Sequence, residues 1–259
     1  MDKPAHLHIS HQGSGAPILL SHALGADMSM WDEVADLLSA SHSVTAYDHR
    51  GHGRSKLLPG PYRMVDLVDD AAQLIGQHFK RPVIFIGLSM GGMVGQLLAA
   101  RHPGLVRKLV LANCPSHVPA AAQPMWQARM AAVAQDGMAS IVDETMARWF
   151  TPAFAADTRH GGAAAVAAVR EVVLNTDAAG YLGSCAAVSA FDARAELANI
   201  QTPTLVIGAT ADAGTPEAAS QDLQQSIAGA RLRILPTAHL SAVEKPQAFV
   251  DAVLSFLES

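Results

Sequence analysis

A serine stands between glycines at the point where an apolar run ends and a helical pattern begins. The run Pro82–Ile86 is followed by the letters GLSMGG, from Gly87 to Gly92. The spacing Gly87-x-Ser89-x-Gly91 predicts a tight strand-to-helix turn, in which side chains at the glycine positions would collide with neighbouring backbone. Such a turn raises the serine hydroxyl above the sheet edge. We predict that Ser89 is a nucleophile; a glycine-rich turn with an incidental serine is the alternative.

A nucleophilic serine needs a base within hydrogen-bond reach and a third group that orients the base. Chains with this turn supply them in the order serine, acid, histidine. We predict that His239, which follows the last apolar run, is the base, and that Asp212, which follows the preceding run, is the acid. A structural aspartate at a helix N-terminus is the alternative for Asp212. Counting back from Thr215 would instead put Ala211 at the acid position.

Two backbone amides could stabilise the negative charge that develops on a carbonyl oxygen under attack. The amide of Met90 lies at the start of the predicted helix, where the helix dipole favours negative charge. The second donor is expected in the loop after an early strand. The segment Ser21–Gly25 occupies that place, and the amide of Leu24 is our candidate.

Most of the 12 histidines are expected to have structural roles. His6, His8 and His11 alternate as on an exposed strand, and no carboxylate or thiolate partner lies nearby in the sequence, so we expect no metal site. His49 and His52 belong to a glycine-rich loop, and we expect them to brace that loop; contact with a substrate is the alternative.

Short, apolar, β-branched runs recur along the chain and indicate buried strands. They lie at Pro17–Leu20, Val44–Tyr47, Pro82–Ile86, Lys108–Leu111, Pro203–Ile207 and Arg231–Leu235. Segments with helical periodicity separate them, as in Met64–Phe79 and Val94–Arg101. Strands that alternate with helices predict an α/β fold with a mostly parallel central sheet and helices on both faces.

The alternation stops between residues 119 and 197, which are rich in alanine and lack strand-like runs. Helical patterns cover Trp126–Gln135, Met138–Phe150 and both sides of Thr176. A helical insertion between two parallel strands suits a cap over the edge at which such sheets bind ligands. We therefore predict a core of residues 1–118 and 198–259 with a cap of residues 119–197; a separate helical domain is the alternative.

Composition excludes several classes of partner. The chain has 259 residues, 50% of them hydrophobic, and a formal net charge of −5. No basic run accompanies that charge, so neither nucleic acid nor an anionic membrane is expected to bind, and no apolar stretch approaches the roughly 20 residues that span a bilayer. The N-terminus lacks a signal-peptide pattern and the two cysteines are expected to be reduced, so we predict a cytoplasmic protein. The sequence says nothing about its oligomeric state.

These motifs together resemble the α/β-hydrolase superfamily over essentially the whole chain, and several segments are similar to the 3-oxoadipate enol-lactonases. In the core these are SHALGADMSMW (21–31), YDHRGHGRS (47–55), PGPY (59–62), GLSMGGM (87–93), LVLAN (109–113) and HLSAVE (239–244). In and beside the cap they are ARWFTP (147–152), TDAAGYLGSCAA (176–187) and RAEL (194–197). Agreement in the cap is the more specific, because caps vary with substrate.

The resemblance implies hydrolysis of 3-oxoadipate enol-lactone to 3-oxoadipate, a step in the breakdown of aromatic compounds, by a serine hydrolase with no cofactor. That substrate carries a free carboxylate, so its pocket should offer a cation or several hydrogen-bond donors. The candidate substrate-binding residues are Trp126, Arg129 and Arg148 in the cap. A surface role is the alternative for the two arginines.

Other functions use the same scaffold. The nearest alternatives are another carboxylesterase or lactonase, a carbon–carbon bond hydrolase and a perhydrolase. A haloalkane dehalogenase is disfavoured because its nucleophile would be a carboxylate in place of Ser89. From another class, a non-catalytic protein could use the capped pocket to bind a ligand, since a fold does not imply a function.

Overall fold

The computed structural model describes residues 7–258, in which seven strands form one sheet; His6 lies outside the described residues. The strands are β1 (Ile9–Gln12), β2 (Ala16–Ser21), β3 (His42–Tyr47), β4 (Val83–Leu88), β5 (Val106–Ala112), β6 (Thr204–Ala209) and β7 (Arg231–Leu235). Every run predicted from its apolar, β-branched composition forms a strand. Both faces of β4 and β6 are buried, which explains why their sequences are almost continuously apolar.

The sheet is parallel except at one edge. Its strand order is β1-β3-β2-β4-β5-β6-β7, and β1 pairs with β3 in the antiparallel direction. All the other neighbouring strands are parallel. This confirms the predicted mostly parallel sheet. The carboxyl ends of β4, β5, β6 and β7 therefore meet at the same edge of the sheet, where open α/β folds bind their ligands.

Helices connect the strands and cover the sheet. They are α1 (Asp32–Ser39), α2 (Met64–His78), α3 (Met90–Arg101), α4 (Gln123–Asp136), α5 (Val142–Trp149), α6 (Pro152–Ala155), α7 (Gly162–Asn175), α8 (Ala178–Ser189), α9 (Glu217–Ser226), α10 (Ser241–Glu244) and α11 (Pro246–Leu257). Helix α3 packs on β4 and β5 and also against α2, so it is buried almost all round. That burial explains why its sequence lacks a polar face.

Helices α4 to α8 lie between β5 and β6 and form the predicted cap. The pattern predicted as one helix over Met138–Phe150 is a short 3-10 turn, Met138–Ser140, followed by α5. The limits of the cap, residues 119–197, stay a prediction. Within residues 7–258, no helix has the length and apolar character that crossing a membrane requires. Cys114 and Cys185 are buried free thiols.

Candidate active site

Ser89 occupies a strained turn between β4 and α3. Its backbone has φ 55° and ψ −114°, a left-handed conformation that residues other than glycine rarely adopt. A Cβ atom on Gly87 would overlap the carbonyl group of Gly91, and one on Gly91 would overlap the carbonyl group of Ser21. The amide of Ser89 donates to the carbonyl oxygen of Ala112 at 2.9 Å, which ties the turn to β5. Both positions therefore require glycine for steric reasons, as predicted.

Asp212 and His239 form a buried pair at the same edge of the sheet. Nδ1 of His239 lies 2.7 Å from Oδ2 of Asp212. The amides of Gly214 and Thr215 donate to Oδ1 of Asp212, each at 2.9 Å. Burial alone would raise the pKa of this carboxyl group, but His239 and these hydrogen bonds outweigh it and hold the pKa below its usual value.

The position of Asp212 follows from strand register. After β6 ends, the amide of Thr210 donates to the carbonyl oxygen of Leu235, and that of Ala211 donates to Thr237, each at 3.0 Å. The chain therefore continues beside β7 as far as Ala211, and the next side chain turns to His239. Counting from the strand thus gives the residue that contacts the histidine, and Ala211 only supplies backbone.

Asn113 and Ser241 complete a hydrogen-bond network that the sequence did not reveal. Asn113 directly follows β5 with φ 47°, a conformation that asparagine tolerates better than most residues. Its Nδ2 donates to Oδ2 of Asp212 at 3.0 Å, and its Oδ1 accepts from the hydroxyl of Ser241 at 2.6 Å. Ser241 lies two residues after His239. The only signal in the sequence was an asparagine at the end of a strand, within LVLAN.

The loop that carries Leu24 is held by its neighbours. The amide of Ala23 donates to Sδ of Met30 at 3.4 Å, and that of Gly25 donates to Nε2 of His52 at 3.1 Å. The amide of Met90 lies in the first turn of α3, where no preceding helical carbonyl group can accept its hydrogen bond. Leu24 and Ser89 line the same cavity.

Three buried histidines, His22, His49 and His52, contact this loop from below. His49 and His52 were predicted to brace their own glycine-rich loop, and they also bond to the Leu24 loop. The amide of His49 donates to Nε2 of His22 at 2.9 Å, and Nδ1 of His22 lies 2.8 Å from the carbonyl oxygen of Ala23. Burial lowers the pKa of His22 to about 4 and that of His52 to about 3. It also lowers the pKa of His49 well below its usual value. All three rings are therefore neutral at pH 7, which allows Nε2 of His22 and of His52 to accept a hydrogen bond.

A cavity of about 360 Å³ opens between the sheet edge and the cap. Ser89, Asp212 and His239 line it from the core. The cap supplies the three predicted substrate-binding residues, Trp126, Arg129 and Arg148, together with other side chains. The volume is at the lower end of the range for small-molecule sites. The structure thus brings every candidate catalytic and substrate-binding side chain to one cavity.

The two arginines of the cavity differ in how many protein groups already bind their guanidinium groups. Arg129 is buried, so the surface alternative does not apply to it; it donates to the hydroxyl groups of Tyr181 and Thr145, each at 2.6 Å. Arg148 keeps a buried Nε that is 3.8 Å from Glu144 and has no hydrogen-bond partner within residues 7–258. Burial and the nearby Arg129 cation lower the pKa of Arg148 below its usual value. An anion beside this guanidinium would therefore stabilise its charged form.

No cluster of three or more histidine, cysteine, aspartate or glutamate side chains suited to a metal ion occurs within the described range, residues 7–258. His8 and His11, from the predicted histidine-rich strand, lie in or beside β1; His11 contacts the hydroxyl of Thr45 at 3.0 Å.

Comparisons with known proteins extend these observations. A family model described as alpha/beta hydrolase fold matches residues 16–246. The chain is 35% identical to 3-oxoadipate enol-lactonase 2 of Acinetobacter baylyi over 93% of its own length and 88% of that protein. It is 31% identical to a putative carbamate hydrolase, RutD, of Variovorax paradoxus, over 98% and 96% of the two chains. Among solved structures it resembles the enol-lactonase from Burkholderia xenovorans with a TM-score of 0.92 and 35% identity, over 98% and 96% of the two chains.

Proposed function

We propose that this chain, which belongs to the α/β-hydrolase family, opens a small, carboxylate-bearing enol-lactone. Its relatives include an enol-lactonase and a putative carbamate hydrolase, and they support a hydrolase activity. The substrate we infer is 3-oxoadipate enol-lactone, which would be hydrolysed to 3-oxoadipate. The observation that carries the proposal is the convergence of Ser89, the Asp212–His239 pair and Arg148 on one cavity.

In this mechanism Ser89 attacks the lactone carbonyl carbon while His239 removes the proton of its hydroxyl group. Asp212 orients the imidazole ring through Nδ1 and stabilises the imidazolium that forms. The amides of Leu24 and Met90 bind the oxygen on which negative charge develops; one such donor typically lowers the barrier by about 3 kcal/mol. Collapse of the tetrahedral intermediate breaks the ring bond, and the imidazolium of His239 gives its proton to the enol oxygen, which leaves more readily than an alkoxide and stays joined to the acyl chain.

The second half of the reaction removes the acyl group from Ser89. His239 again acts as a base, now on a water molecule that attacks the acyl carbon. Collapse of the second tetrahedral intermediate returns the proton to Ser89 and frees the acid. Tautomerisation of the released enol to a ketone draws the overall reaction towards product.

The carboxylate of the substrate binds to the cap. Arg148 provides the cation that is least engaged by protein partners, and Arg129 lies beside it with its hydrogen bonds to Tyr181 and Thr145. Trp126 contributes an apolar wall of the cavity. In this proposal residues 119–197 close the site and select a substrate that carries a carboxylate. A carboxylate bound by an arginine is stabilised by about 1.5 to 3 kcal/mol.

The proposal is tested by mixing the purified protein with the enol-lactone and following its loss. We expect turnover by the wild-type protein, no turnover by Ser89→Ala and stoichiometric labelling of Ser89 by an activated phosphonate. Asp212→Asn should lower kcat about 10⁴-fold, because the imidazole loses its orienting acceptor. An unlabelled wild-type protein would favour a non-catalytic ligand-binding role. A labelled protein that ignores the lactone but cleaves other esters would favour a different carboxylic ester hydrolase.

The carboxylate subsite has its own test with two esters of equal length, p-nitrophenyl hemisuccinate and p-nitrophenyl butyrate. Arg148→Gln should raise KM for the hemisuccinate at least about tenfold and leave the butyrate almost unchanged. The matched control is Arg170→Gln, which removes an exposed cap arginine paired with Asp143. Equal effects of Arg148→Gln on both esters would move the carboxylate subsite elsewhere.

A further inference from the structure

The loop that carries His239 is bonded to the cap on its C-terminal side. The amide of Leu240 donates to the carbonyl oxygen of Trp149 at 3.1 Å. The Trp149 ring stacks beside the His239 ring, with centroids 6.3 Å apart and planes inclined by 27°. The last residue of α5 thus lies beside the imidazole ring.

Glu244 bonds the same loop to the cap on its N-terminal side. This side chain is only 7% exposed and lies at the end of α10. Its Oε2 accepts from the amide of Ala238 at 3.0 Å and from the amide of Thr151 at 3.2 Å, and its Oε1 accepts from the hydroxyl of Thr151 at 2.5 Å. One carboxyl group therefore joins the residue before His239 to a cap residue two positions after Trp149.

Both backbone neighbours of His239 are in this way fixed to the cap segment Trp149–Thr151. Fixing the backbone on each side limits the positions that the ring can adopt while Nδ1 keeps its contact with Asp212. A base must be held close to its productive geometry, and a misplacement of about 1 Å can lower a rate about a hundredfold.

We propose that Glu244 is a positioning residue for the catalytic base: its carboxyl group holds the His239 loop on the cap segment Trp149–Thr151, so that His239 is aligned with Ser89 only while that segment is in place. This assignment rests on the proposed function, in which His239 is the base. Glu244 touches neither substrate nor reacting atoms and acts through Ala238 and Thr151.

The experiment uses the full chain and p-nitrophenyl butyrate, so that it does not depend on the identity of the lactone. Glu244→Gln keeps the size of the side chain but removes its charge and converts one of its two acceptor oxygens into an amide donor. Thr151→Val removes the hydroxyl that Glu244 accepts, whereas Thr151→Ser retains it. The matched control is Glu196→Gln, which removes a carboxylate paired with Arg101 away from the cavity.

We expect kcat to fall at least about tenfold in Glu244→Gln and in Thr151→Val, with KM changed less than about twofold, because alignment and not binding is lost. Thr151→Ser and Glu196→Gln should stay within about twofold of wild type. The rate of phosphonate labelling at Ser89 should fall together with kcat, while the final extent of labelling stays complete, which shows that the site is folded.

Two results would overturn the assignment, and they differ from failure of the proposed function. Unchanged kcat in Glu244→Gln, with or without a lower melting temperature, would leave Glu244 a purely structural role. If Glu244→Gln does not fold, the Thr151 pair decides, and equal kcat values for Thr151→Val and Thr151→Ser would overturn the proposal. Absence of labelling in the wild-type protein would overturn the proposed function itself, and this assignment with it.

Discussion

Asp212 accepts four hydrogen bonds, two at each carboxylate oxygen. Two come from backbone amides of its own loop, one from His239 and one from Asn113. A carboxylate so fully occupied has little freedom to rotate, and its ionised form is favoured despite burial. The position of Asp212 therefore depends on its neighbours, among them Asn113, which does not line the cavity.

Replacing Asn113 with glycine tests that dependence. Glycine accepts the positive φ of this position, so Asn113→Gly removes the amide donor to Asp212 with little backbone strain. We expect kcat for p-nitrophenyl butyrate to fall at least about tenfold, since hydrogen bonds to charged groups contribute about 1.5 to 3 kcal/mol. Asn199→Gly, at an exposed position, is the control for the substitution itself. Full activity in Asn113→Gly would show that the loop amides alone hold Asp212.

Residue types and chain order were enough to predict which side chains meet at the cavity. The turn around Ser89 needs glycine for steric reasons that are visible in six letters, and His239 and Asp212 follow in a fixed order. Asn113 and Glu244 could not be found this way. Their partners are 99 and 128 residues away for Asn113, and 93 residues away for the contact of Glu244 with Thr151. No local pattern encodes such pairs.

At the scale of elements, the turn between β4 and α3 depends on close approach to β2. The amide of Gly91 donates to the carbonyl oxygen of His22 at 3.1 Å, and the Cα of Gly91 faces the backbone of Ser21. Helix α3 can begin here only because no side chain separates it from that strand. The same approach brings the Leu24 loop beside Ser89.

Two glycine-to-alanine substitutions separate this steric need from general helix propensity. Gly91→Ala should lower the free energy of unfolding by about 3 kcal/mol, the upper range for overpacking, because its Cβ would meet the backbone of Ser21. Gly76→Ala, in exposed surroundings within α2, meets no atom within 4 Å and should raise that free energy by about 0.5 to 1 kcal/mol. Urea denaturation measures both. Equal signs for the two variants would contradict the steric account.

The elements themselves were largely predictable. Six of the seven strands were recognised as short apolar, β-branched runs, and burial on both faces accounts for this composition in the central strands. The pairing of β1 was not, because a four-residue, half-exposed strand carries no sign of its direction. The 3-10 turn before α5 was also missed, since its apolar spacing matches that of a continuous helix.

The buried histidines make the stability of the whole molecule depend on pH. His22, His49 and His52 stay neutral in the folded chain, and burial lowers the pKa of His22 to about 4. In the unfolded chain each has a pKa of about 6.5 and binds a proton below that value. The unfolded state therefore binds more protons between pH 6.5 and about 4, and the folded state loses stability as the pH falls through this window.

We expect the free energy of unfolding to fall by about 1.4 kcal/mol per pH unit for each of these histidines below pH 6.5. His22→Asn should make the dependence shallower by one such contribution. His160→Asn, which removes a histidine whose side chain is 83% exposed, serves as the control. Urea denaturation at several pH values between 7.5 and 4.5 measures these slopes. A stability that does not change over this range would show that the cluster takes up protons without unfolding.

The contact between Thr151 and Glu244 would limit the exchange of one cap for another in this protein. The proposed anion contact Arg148, the stacking partner Trp149 and the proposed anchor Thr151 lie within four consecutive positions. A different cap introduced by recombination would change the specificity and would also replace Thr151. His239 would then be misaligned unless the new cap carried a hydrogen-bond donor at the position of Thr151. The proposed roles thus couple specificity to reactivity, and they predict that point substitution is an easier route to new substrates than exchange of the whole cap.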